Sequence, residues 1–309
     1  MSGDVSAISH YATWCDKTVG NEPGYINDKL GTVKRFYRWA LKVGLVDTLP
    51  FEDIEVVSSH SGGRLAHTSS KGRRQSSTDI HFHEPEKNIQ VLSRGQIDIV
   101  MKSVRNPTHR SVLHLGLNAG LRAEELATFP AKYVVDCSKL SEKIRSVPVI
   151  LNPRDMDTKN DTRRVVRISV ECMNSLWQYR EIVRPSLMEK SDASAGGQLF
   201  RTRYGDPFVA DGFVAPLARL GARVGFHIHP HMLRHTFATH MLASLEDLKR
   251  AGRLKSSPVV ILMKLLGHSS ILTTSTYLHL LDTIDDVFGT QYQREIDLLV
   301  HTYLKQRAV

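Results

Sequence analysis

The sequence predicts a mainly α-helical chain with a small antiparallel β-sheet, divided into a helical N-terminal unit and a larger mixed α/β domain. Three observations carry that expectation. Apolar residues recur at three- and four-residue steps in the stretches read as helices, the texture becomes strand-like between Tyr133 and Ser169, and a segment rich in Ser, Gly, His and charge intervenes from about Ser58. At 309 residues the chain is long enough for two domains.

Residues 1–57 form the first expected domain. Ile26, Leu30, Val33, Phe36, Tyr37, Ala40, Leu41 and Val43 follow the step of an amphipathic helix, with Lys29, Lys34, Arg35, Arg38 and Lys42 over much of the remainder. On a basic protein, a stripe of cations with few anions suits a run of phosphates, so Lys34, Arg35 and Arg38 are candidate contacts to nucleic acid. Residues 58–90 read as a linker, with Ser69-Ser-Lys-Gly-Arg-Arg-Gln-Ser-Ser77 at its centre and no apolar period. Its Lys71, Arg73 and Arg74 are candidates to brush the same polyanion.

Residues 91–309 form the second domain. Ser93 and Gln96 give a capping-box signature before Ile97, Val100 and Val104. A helix through Val112–Leu117, a turn at Gly120 and a helix from Arg122 to Leu126 follow. Tyr133–Val135, Val147–Leu151 and Val165–Ile168 read as strands, with a hairpin turn around Thr158-Lys-Asn-Asp161. Helices are then expected over 171–183, 213–224, 230–245 and 257–266, and in a tail within 285–304. The 243–258 stretch is about ten residues longer than a short helix connection requires, offering a contact to DNA or to a neighbouring subunit.

Charge narrows the function. There are 41 Lys and Arg against 32 Asp and Glu, a formal charge of +9, which favours a polyanionic partner. No run of about 18 apolar residues and no basic stretch followed by an apolar one argues for a membrane span or signal peptide, so a cytoplasmic, nucleoid-associated protein with no membrane partner is expected. Cys15, Cys137 and Cys172 are odd in number and lack C-x-x-C spacing, so they read as reduced, buried residues.

The densest chemistry lies in the last third. Pro230 suits the first turn of a helix, placing His231 and Arg234 three apart on one face. Gly267 reads as a helix stop that leaves His268 at an exposed corner, and Tyr277 follows nine residues later. Arg122, in Gly120-Leu-Arg-Ala-Glu-Glu-Leu126, stands at a glycine turn opening a helix, where backbone N–H groups and guanidinium can converge on an anion. Cutting a phosphodiester without metal requires a nucleophile, cations on the nonbridging oxygens and an acid for the leaving oxygen. A zinc site is the competing reading of the histidines, since His231 and His235 are four apart. No Glu lies between them, no Cys is near, and His235 and His240 read as packing or helix-surface residues.

With these motifs the chain resembles the tyrosine recombinases of the phage integrase family over roughly Leu92 to His279. The resemblance rests on five motifs in order: the Gly-Leu-Arg-x-x-Glu-Leu box, a Lys-bearing hairpin, His-x-Leu-Arg-His-Thr-Phe-Ala-Thr-His, Leu-Gly-His, and Tyr nine residues on. It implies a core-binding N-terminal domain, here shorter than the four or more helices such domains commonly carry, and a tyrosine-recombinase catalytic domain, the two encircling duplex DNA. It also implies site-specific strand exchange with Tyr277 as nucleophile forming a 3′-phosphotyrosyl link. Arg122 and Arg234 would clamp the nonbridging oxygens, and His231 and His268 would complete the pocket, with His231 accepting the Tyr277 proton. Lys159 would be the general acid and Glu125 a brace behind the site. No metal, cofactor or ATP is expected, and no phosphate-binding Gly-rich loop is present. The implied partners are double-stranded DNA at specific sites, further copies of the chain as a tetramer, and an accessory DNA-bending protein. A relaxing enzyme of type IB topoisomerase kind and a catalytically silent DNA-binding protein are the alternatives.

Overall fold

The computed structural model describes residues 7–57, 74–78, 80–83, 89–141, 143–190 and 196–267, with positions 296 and 298. The chain separates into two compact units, residues 1–88 and 89–309. The described elements are predominantly helical with two two-stranded antiparallel sheets.

In the first unit, α1 (Ala7–Lys17) and α2 (Pro23–Lys42) enclose a core of Ile8, Ala12, Cys15, Ile26, Leu30 and Phe51. The face of α2 that turns inward is narrower than the sequence suggested. Ile26, Leu30 and Ala40 are buried, but Phe36 and Val43 are more than half exposed, because they fall to either side of the i, i+4 row that meets α1. The expected linker also departs from expectation. β1 (Asp53–Val57) pairs antiparallel with β2 (Arg74–Thr78), in a register that sets Glu55 opposite Ser76. Beyond β2, Ile80 and Phe82 pack on the helical core, and the Asn27 side chain binds both the N–H and the C=O of Phe82 at 2.9 Å. Strand pairing uses backbone groups, so a polar strand such as Arg-Gln-Ser-Ser-Thr gives no periodic signal.

The second unit is built on α3 (Arg94–Ser103), α4 (Pro107–Ala119) and α5 (Ala123–Ala127). Ser93 and Gln96 close the expected capping box. Every residue of α4 from Arg110 onward is buried, and the helix packs along a later helix, α9 (Pro230–Arg250). Gly120 ends α4 in the left-handed region at φ +63 and lies against the Phe237 ring of α9. The strand expected at Tyr133–Val135 is instead a 3-10 turn at Ala131–Tyr133 followed by unpaired chain. Arg180 donates to the Val134 carbonyl at 2.7 Å, so a side chain takes the place of a neighbouring strand there.

β3 (Ser146–Leu151) and β4 (Arg164–Ser169) form the predicted hairpin, paired from Ser146 opposite Ser169 to Leu151 opposite Arg164. Its turn holds Asn160 and Asp161 at φ +57 and +49, the conformation that Asn and Asp tolerate best after Gly. α6 (Val170–Gln178), a wider turn at Tyr179–Val183 and α7 (Arg184–Met188) continue as one helical run. A 3-10 turn at Ala210–Phe213 leads into α8 (Val214–Val224). α9 runs to Arg250, five residues past its expected end, and α10 (Pro258–Leu266) follows a turn whose Gly252 is also left-handed. Much of the expected long connection is therefore helix. No described helix is long and apolar enough to cross a membrane, and all three cysteines are buried and form no disulfide.

Candidate active site

Four elements of the second unit converge on one place: the start of α5, the β3–β4 turn, the first turn of α9 and the last turn of α10. Arg122 is the N-cap residue of α5 and its side chain is 17% exposed. Its Nη1 donates to Glu125 Oε1 at 3.1 Å, and its backbone N–H donates to Oε2 at 2.8 Å. That backbone group was expected to help hold an anion, but the carboxylate has taken it.

Glu125 is fully buried. Burial alone would raise its pKa, yet the hydrogen bonds and charge of Arg164, joined by those of Arg122, outweigh burial and hold the carboxyl below its ordinary value. Arg164 meets it as a fork, Nη1 to Oε1 and Nη2 to Oε2, the latter at 2.7 Å. No motif singled out Arg164. The signal was in the β4 alternation, which puts it on the inward face with Val166 and Ile168.

Arg234 lies on α9, 2% exposed, and donates from Nη1 to the Gly120 carbonyl at 2.7 Å and from Nη2 to the Leu266 carbonyl at 2.6 Å. One turn earlier, His231 is exposed. His229 is the helix N-cap, its Nδ1 accepting from the Met232 N–H at 3.3 Å. Partial desolvation lowers the His231 pKa, and the positive charges of Arg234, Arg122 and Lys159 lower it further against an opposing pull from Glu124. Lys159 is exposed in the hairpin turn. Glu125 holds Arg122, Arg234 spans Gly120 and Leu266, and His231 feels the charges of Arg234, Arg122 and, more weakly, Lys159.

The remaining histidines differ in kind. His235 stacks edge-on against His231 at 4.4 Å between ring centroids, and burial with neighbouring positive charge pushes its pKa down to about 4. His240 is buried, its Nε2 2.8 Å from the Leu92 carbonyl. His268 and Tyr277 lie outside the described residues.

In the first unit, Arg35 and Arg38 are exposed on α2 as expected. Lys34 is not: it is 6% exposed and its ammonium donates to the Ile80 carbonyl at 2.5 Å. It shares the row of Ile26 and Leu30, so its methylene stem packs inward. Arg74 is on β2, and Lys71 and Arg73 lie outside the described residues.

Residues 90–283 match the phage integrase family. The chain belongs to that family. This integrase is 28% identical over 265 residues to the tyrosine recombinase XerC of Lacticaseibacillus casei, covering 81% of this chain and 70% of that protein. It is 31% identical over 201 residues to the tyrosine recombinase XerA of Saccharolobus solfataricus, covering 65% of this chain and 55% of that one. Among solved structures, the Tn1549 transposon integrase in complex with a circular intermediate DNA aligns with a TM-score of 0.57 at 17% identity, over 89% of this chain and 81% of that chain. At that identity the likeness is one of fold. As a tyrosine recombinase, the integrase is a DNA strand transferase that performs site-specific recombination.

Proposed function

We propose that this integrase cuts and rejoins duplex DNA at specific sites by transesterification on Tyr277. The observation that carries the reading is an exposed imidazole, His231, under the combined field of Arg122, Arg234 and Lys159. These are three cations and a base supplied by three different elements. In the proposed step the Tyr277 oxygen attacks the scissile phosphorus and its proton passes to His231. The P–O5′ bond breaks, and Lys159 protonates the departing 5′ oxygen. Arg122 and Arg234, with His268, would take the nonbridging oxygens, each donor worth about 3 kcal/mol in the transition state. Phosphodiester is exchanged for a phosphotyrosyl ester of similar energy, so the reverse step reseals a new junction without ATP.

The wider assembly belongs to the same reading. Exchange between two duplexes breaks four strands, each held on one tyrosine, which supports a tetramer on paired sites, with an accessory DNA-bending protein where the sites lie apart. The integrase would act in the cytoplasm on nucleoid DNA, its exposed Arg35 and Arg38 tracking phosphates.

The target is found by trapping the protein on genomic DNA from its host and sequencing the attached ends. On a nicked suicide duplex carrying that site, the wild-type chain forms a covalent adduct, while Tyr277→Phe binds the same duplex and forms none. An adduct with Tyr277→Phe refutes the assignment. Relaxation of supercoiled plasmid lacking the site would point to topoisomerase-type action, and an untouched suicide substrate to a silent DNA-binding protein.

A further inference from the structure

Arg164 takes no part in the scheme above, yet it ties the carboxylate behind Arg122 to the end of α10. β4 turns it inward, and 8% of it remains exposed. Two of its nitrogens hold both oxygens of Glu125, whose own carboxylate holds Arg122. Its third nitrogen, Nε, donates at 3.3 Å to the carbonyl of Leu265 in the last turn of α10. Arg234 takes the next carbonyl, that of Leu266. A helix C-terminus leaves its last carbonyls without intrahelical partners and favours cations there, so α10 is fastened by two guanidiniums at the end from which the chain continues to His268 and Tyr277. Gly267 closes that end at φ +65, and a Cβ there would stand 2.6 Å from Arg164 Cδ. The guanidinium stem thus passes directly over the exit of the helix.

A buried ion pair is weak evidence for stability, because desolvation cancels much of the attraction. What the geometry provides is register. We infer that Arg164 is a positioning residue for strand transfer, a three-way tie that sets Arg122, through Glu125, against the last turn of α10. This rests on the reading of Arg122 and Tyr277 given above. A lysine could not replace it: one ammonium cannot span two carboxylate oxygens in a planar fork and also reach a carbonyl on the far side. Arg164 touches no DNA in this account, so its loss should slow the chemical step and spare binding.

The test uses the full chain on the nicked suicide duplex, with single-turnover adduct formation followed at saturating DNA and duplex affinity measured separately. Arg164→Met is expected to slow adduct formation by about a hundredfold while affinity stays within about threefold. Arg164→Met leaves the buried carboxylate with one cation fewer, so Arg164→Lys guards against a failure to fold. A folded Arg164→Lys protein should still be about tenfold slow, faster than Arg164→Met but short of wild type. Glu125→Gln should slow the same step, and the double variant should be no slower than the worse single one, because both break the same tie. Cleavage by folded Arg164→Lys within threefold of wild type overturns the inference, as does a loss lying wholly in affinity or effects that multiply in the double variant. If the wild-type chain forms no adduct, the reading of Tyr277 falls and this inference falls with it. A wild-type adduct with undiminished Arg164→Lys cleavage sinks this inference alone.

Discussion

A histidine that receives a proton from a phenol must itself be neutral, and partial burial together with the cations proposed to bind the phosphate shifts His231 toward that form. Its pKa lies below the ordinary 6.5, through partial desolvation and then Arg234, Arg122 and Lys159. A base works only when deprotonated, so cleavage at subsaturating DNA should fall as pH drops through this lowered value. The acidic limb is therefore expected below 6.5, and a limb at or above 6.5 in the free protein counts against His231 as the base. At this scale the sequence was legible where spacing encodes geometry: His231 and Arg234 share a helix face by their three-residue step, and Glu125 lies three residues after Arg122. Arg164 was overlooked and Lys34 was read as an exposed contact for one common reason. A charged residue is read as facing water, and only strand parity for the first, or the four-residue row with Ile26 and Leu30 for the second, says otherwise.

Among the elements, the α4–α9 pair decides where both proposed phosphate-binding arginines stand. Gly120 ends α4 two residues before Arg122, its carbonyl receives Arg234, and its left-handed backbone presses on Phe237. Gly120→Ala would place a Cβ 2.2 Å from that ring at φ +63. The expected cost is at least about 2 kcal/mol, combining left-handed strain with overpacking. It would be read as a lower urea midpoint together with slower adduct formation, and an unchanged midpoint would mean that α4 and α9 do not meet as described. Strands β3 and β4 were legible because β-branched residues cluster on both, and the Asn-Asp pair marked their turn. Strand β2 was not, since its five residues are polar and its partnership is made by main-chain groups. The opposite error occurred at Tyr133–Val135, where the Val134 carbonyl accepts from Arg180 instead of from a strand.

For the whole molecule, the excess of 9 positive charges favours a polyanion, and the number of phosphates contacted sets how binding responds to salt. Affinity for duplex DNA should fall linearly on a log–log plot against salt, with a slope of about 0.9 per phosphate neutralised. Replacing both Arg35 and Arg38 with Ala should flatten that slope by about 2 if each meets a phosphate. A slope that does not change would move the N-terminal contact to another face. Composition revealed the polyanion, whereas the division into two units was blurred because a polar segment of the expected linker is folded into the first of them. One feature also bears on how such a chain tolerates change. α10 is moored at its far end, by Arg164 and Arg234 on the Leu265 and Leu266 carbonyls. Residues inserted or deleted in the bend between α9 and α10 should therefore be taken up as slack upstream of the mooring, leaving the Leu265 and Leu266 carbonyls where the two guanidiniums hold them.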